Sequence, residues 1–136
     1  MKSRLLGTLL CCLVTSVQAN EVEPRTFLFV SEPNDNAWRF LIENPHDRQA
    51  LMQGAIAKLG GKMLSYYFGL GDGKNYIIVE LPDDKELIQA VYVNRLGDDL
   101  LKSYSMVELL TSAEMAGALK RIQEVRAVDP QAQQTE

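Results

Sequence analysis

Acid–base chemistry near neutral pH calls for a histidine, and this chain has one, His46. It falls in the first turn of a segment read below as a helix, where exposure is expected. A single imidazole neither builds a multi-histidine metal centre nor completes a nucleophile triad. Gly69, Gly71 and Gly73, followed by Lys74, invite comparison with a phosphate loop. The spacing does not fit Gly-x4-Gly-Lys-Ser/Thr: Phe68 stands where the first glycine belongs, Asn75 replaces the hydroxyl, and a strand follows instead of a helix. A glycine-rich hairpin with a bulge is the reading. Asp83-Asp84 and Asp98-Asp99 have the charge to attract a hard cation, but the first pair suits a helix start and the second a solvated loop. The run from Asp72 to Asn75 lacks the alternating acids of an EF-hand, and no metal site is assigned. Tyr66, Tyr67, Phe68, Tyr76 and Tyr104 can offer phenol groups and ring faces to an aromatic or apolar ligand, or equally to a dimer interface. The ligand-binding candidates are therefore Tyr66, Phe68, Asp72, Lys74, Tyr76, Tyr104 and His46. No catalytic residue and no cofactor is assigned.

The ends and the charge bound what these residues can serve. Lys2 and Arg4 precede an apolar stretch from Leu5 to Val17, and Val17-Gln18-Ala19 offers small residues where a signal peptidase reads. That three-part pattern predicts a signal peptide over 1–19, and its apolar core is short of the ~20 residues that span a bilayer. Cys11 and Cys12 would leave with it, so the mature chain has no disulfide, thiol nucleophile or thiolate ligand. The 136 residues carry 14 basic and 18 acidic side chains; loss of Lys2 and Arg4 takes the net charge from −4 to −6. An acidic chain with no basic stripe argues against nucleic acid as a partner. Export is expected, to a periplasm or to the medium, with no integral membrane span after processing.

The elements that must position the candidates follow from periodicity. Residues 20–25 read as a polar leader. Thr26 to Val30 is a first strand, rich in β-branched and aromatic residues. Trp38 to Glu43 is a short helical turn. Asn44-Pro45 reads as the start of a helix carrying Leu51, Met52, Ala55, Ile56 and Leu59 on one face, ended by Gly60-Gly61. Met63 to Leu70 and Asn75 to Leu81 form a hairpin. Asp83 with Glu86 is read as the cap of a second helix with Leu87, Ile88, Val91 and Tyr92 buried, closed by Gly97. Leu101 to Leu110 is a fourth strand, with Leu101, Val107 and Leu109 on one parity and Tyr104 and Met106 on the other. Thr111 to Glu114 is a capping box for a third helix bearing Met115, Leu119 and Ile122. The tail, 129–136, has nothing to bury. One domain over 26–128 is expected: an α+β, ferredoxin-like split β-α-β sandwich with a four-stranded antiparallel sheet, helices on one face, and a C-terminal helix. Its second face is apolar as well, which predicts a homo-oligomer packed face to face.

The segment from about Trp38 to Ile122 resembles the GYD domain family. The resemblance is carried by Asn44-Pro45 to Arg48, by Ala57 to Lys62, by Tyr66-Tyr67-Phe68 with Gly71, by Val79 to Asp84, and by Thr111 to Glu114. The segment that names the family, Gly-x-Tyr-Asp, reads Gly71-Asp72-Gly73-Lys74 here. The resemblance implies a dimeric α/β barrel, two ferredoxin-like sheets stacked around an internal space. It implies no general activity. The leading expectation is a non-catalytic, exported, oligomeric module binding a small apolar or aromatic ligand or a partner. The alternative is a cofactor-independent or haem-associated enzyme of the dimeric α/β barrel type, acting near Tyr66, Phe68, Asp72 and Tyr76.

Overall fold

Alternation along Arg25–Pro33 (β1) turns Phe27, Phe29, Ser31 and Pro33 to one buried side, because successive side chains of a strand point to opposite faces. Asn75–Leu81 (β3) repeats the pattern with Asn75, Val79 and Leu81 buried. These two strands form the centre of a four-stranded sheet, with Lys62–Phe68 (β2) beside β3 and Leu101–Leu109 (β4) beside β1. Every neighbouring pair is antiparallel, in the order β2-β3-β1-β4. This is the split β-α-β, ferredoxin-like arrangement. The computed structural model describes residues 23–129. The signal segment read over 1–19, the start of the leader and the tail beyond Asp129 lie outside them.

Five helices complete the chain: Asp35–Glu43 (α1), Arg48–Lys58 (α2), Lys85–Leu96 (α3), Ser112–Lys120 (α4) and Ile122–Val128 (α5). Ile56 of α2 and Ile88 of α3 meet Phe27, Phe29, Met63, Val79 and Leu81 to form the core on one side of the sheet. Leu81 and Val79 are wholly buried there.

Several boundaries differ from the sequence reading. The first strand runs on to Pro33, and α1 is a full helix, capped by the Asn34 side chain accepting from Ala37 N. Asn44 ends α1 instead of starting α2; Asp47 caps α2, accepting from Gln49 N and Ala50 N. Asn44 is spent on the end of α1, where its backbone N donates to Phe40 O, so the next competent residue, Asp47, caps α2 beside the free N–H groups of the helix start. Leu51 and Ala55 are exposed, so the buried stripe of α2 is Met52 and Ile56. Asp84, one residue after the cap expected, caps α3 by accepting from Leu87 N at 3.1 Å. The capping box of Thr111 and Glu114 is present. The third helix breaks at Arg121 into α4 and α5, and neither half buries a residue.

Two irregularities reverse the side-chain parity. In β2 the register shifts between Met63 and Ser65, so Met63 and Tyr66 both face the helices. In β4 the register shifts opposite Glu32 and Pro33, which pairs Pro33 with Leu101 and Ser31 with Tyr104. Leu101 therefore shares the helix side with Tyr104 and does not join Val107 and Leu109. The far side of the sheet carries Leu28, Val30, Tyr76 and Ile78 on the central strands, with Tyr67 and Val107 on the outer ones.

Candidate functional site

The register aligns one polar rung inside the apolar side of the sheet. Asn75, Ser31 and Tyr104 are successive cross-strand partners on β3, β1 and β4. The adjacent rung is Tyr66, Ile77, Phe29 and Met106. Ser31 and Asn75 are each only 5 % exposed, which sets a hydroxyl and an amide on the apolar side of the sheet, with Tyr66 hydrogen-bonded to Asn75 as a polar neighbour. Burying such groups is costly unless they are hydrogen-bonded.

Above this rung the sheet and the helices do not close. A cavity of about 140 Å³ lies between them, floored by Phe29, Ile77 and Val79, with Phe40 and Leu41 of α1, Met52 and Ile56 of α2, and Leu100 and Leu101 around it. Asn34 holds the α1 side in place: its backbone N donates to Leu100 O at 2.9 Å and its side chain to Asp99 O. Polar groups enter from four directions: the rung itself, Tyr66 from β2, Arg48 from the first position of α2, and Arg95 with Asp98 from the end of α3. Arg95 Nη1 donates to Asp98 Oδ2 at 3.2 Å. Arg48 Nη1 meets His46 Nε2 at 2.9 Å, and the other ring nitrogen of His46 bonds the carbonyl of Asn44. Arg48 Nε, Asn75 Oδ1 and Tyr104 Oη, on three residues that line the cavity, are buried without a hydrogen-bond partner.

The electrostatics follow from this mixture. Burial pushes the Tyr104 phenol up to about 12, with Tyr92 adding to the rise and Arg95 opposing it. Burial also raises Tyr66, while Arg48, Arg95 and Asn75 act the other way. Both phenols thus keep their protons at neutral pH and offer O–H groups to whatever occupies the space. Two guanidiniums face one carboxylate in the wall, so it is net positive.

The residues singled out from sequence divide. Tyr66 and Tyr104 line the cavity, on the helix side of the sheet and not on the opposite face, where the sequence reading expected some of the aromatics to point. His46 stands one contact behind, through Arg48. Phe68 is a partly exposed ring packed on Tyr66 and Trp38, outside the lining. Asp72, Lys74 and Tyr76 belong to the hairpin. Asp72 accepts from the Tyr76 hydroxyl and from Lys74 N, which depresses its carboxyl and leaves it fastening the loop. Ser31, Arg48, Asn75 and Arg95 were missed. Ser31 and Asn75 carried a usable signal, since each shares parity with core residues of its own strand. The arginines carried none, as a basic residue at a helix end is ordinary.

Haem does not fit this space. Single-ring ligands occupy cavities of about 150 Å³, and larger ligands need roughly 300 Å³ or more. The one histidine is also engaged with Asn44 and Arg48. Among the described residues no group of three or more His, Cys, Asp or Glu is placed to hold a metal ion. Comparison with protein families matches the GYD domain over residues 27–119. No curated protein matches the chain.

Proposed function

The chain belongs to the GYD domain family, and from that premise we propose that it is an exported, non-catalytic module that binds a small ligand inside each protomer. The observation that carries this reading is the cavity with three buried polar atoms left unpartnered in apolar surroundings. A folded chain leaves few such atoms, because each forfeits a hydrogen bond to water. Three around one space favour an occupant that supplies the missing partners.

Two further parts of the proposal rest on separate observations. Lys2, Arg4 and the apolar run to Val17 support export. The second side of the sheet, with Leu28, Val30 and Ile78 at its centre and an exposed Val107 beside them, supports a homodimer packed through that face.

Native mass spectrometry of the protein expressed with its own leader tests these parts together. The expected result is a dimer of the chain beginning at Asn20, carrying a small bound mass that is released unaltered on denaturation. Stoichiometric loading that disappears in the Tyr66→Trp variant, which fills the cavity, places the ligand there. A ligand released in altered form would replace binding with catalysis, and persistently empty protein that takes up no small organic probe would overturn the reading.

A further inference from the structure

We propose that the ligand is a single-ring carboxylic acid bearing a hydroxyl or amino group, with its carboxylate seated on Arg48. This rests on the binding reading above and narrows it to one chemical class.

Charge gives the first step. Of the three charged groups in the wall, Arg95 and Asp98 are paired with each other. Arg48 has no carboxylate partner among the described residues, and its Nε–H is buried and unused. A buried guanidinium N–H calls for an acceptor, and the planar fork of arginine fits a carboxylate better than any neutral oxygen.

His46 supplies the second step. Arginine can only donate, so His46 Nε2 must be the bare nitrogen of a neutral ring, and Nδ1 carries the proton towards the Asn44 carbonyl. The imidazole is fixed in one tautomer and occupies Nη1. That holds the guanidinium in place at the cavity wall, beside the Tyr66 hydroxyl, making His46 a positioning residue.

The third step is the opposite requirement at the sheet. Asn75 Oδ1 can only accept, so the occupant must also donate. Tyr104 can give or accept. Between these polar points lie Phe29, Ile77 and Met52, and the volume admits one ring. An anionic end, an apolar ring and a donor together describe an aromatic hydroxy or amino acid of the benzoate type.

The experiment is calorimetric titration of the purified full chain with the three hydroxybenzoates and the three matching hydroxybenzamides. At least one acid is expected to bind, its amide about tenfold or more weaker, because the charge-assisted contact is lost. Arg48→Gln should bring the acid down to about the level of its amide and cost the amide much less, since the amide loses only a neutral hydrogen bond. Arg48→Lys, which keeps the charge but not the fork, should fall between; it decides the matter should the glutamine variant not fold. His46→Ala should weaken the acid, and His46→Gln, which can still accept from Nη1, should restore it. Equal affinity for acid and amide overturns the carboxylate assignment while the binding reading stands. Acid binding indifferent to both Arg48 variants overturns its placement. No binding by any probe overturns this proposal and the reading beneath it.

Discussion

Tyr104 sits where two requirements meet: its ring closes the core against Phe29 at 5.8 Å, and its hydroxyl finds no protein partner. Tyr104→Phe removes an unsatisfied buried group, so urea unfolding near neutral pH should show no loss of stability, or a small gain. Alkali gives a second test. The folded phenol ionises at about 12 against an ordinary 10, so the unfolded chain loses this proton first as pH rises. The stabilisation is intact below about pH 10 and drains away between there and about pH 12. The phenylalanine variant should have a shallower alkaline limb in the same titration, and an unchanged limb would mean that the hydroxyl is solvated. Tyr66 and Tyr104 were readable as strand aromatics that could line a cavity. The face they take was not, because parity along β2 and β4 is reset by register shifts that no local spacing announces. Arg48 was equally hidden, since its meaning depends on His46 and on a sheet rung far away in sequence.

Helix starts and the α2–β2 corner set the element scale. Asp84→Ala should cost about 1 kcal/mol by denaturant titration, because it removes the acceptor for Leu87 N. Asp83→Ala should cost less, as it loses only an exposed 3.5 Å pair with Arg25 that Glu108 backs up. Equal losses would restore the cap expected from the Asp83–Glu86 spacing. Gly60 takes a positive φ of 76° after α2, as the glycine pair suggested. Gly61 is constrained differently: a Cβ there would stand 2.5 Å from the carbonyl oxygen of Glu80. Gly61→Ala should therefore destabilise by about 1–3 kcal/mol, read from the shift in thermal midpoint, as β2 is forced away from β3. Strands, hairpin and helix order were legible because their periodicities are local. The caps slipped because Asn44, Asp47, Asp83 and Asp84 are all competent N-caps, and local spacing alone does not choose among them.

At the scale of the whole molecule, the helices leave one side of the sheet apolar and uncovered within the protomer. Leu28→Glu places a charge at its centre, on the strand flanked by Ile78 and Val107. On the proposed pairing the parent chain should sediment as a dimer and the variant as a monomer, with the far-ultraviolet circular dichroism unchanged; a variant that still dimerises would move the interface elsewhere. The C-terminal arm adds a different consequence. Arg121 ends α4 and begins α5, and no side-chain cap secures the second helix. Met115, Leu119 and Val125 are all largely exposed along the arm, and Lys120 beside the joint is exposed too. A trypsin-like protease should nick this joint before it attacks any strand. If a second copy covers the arm, dilution should speed the nick without altering the sheet, so the cleavage rate becomes a clock for subunit exchange.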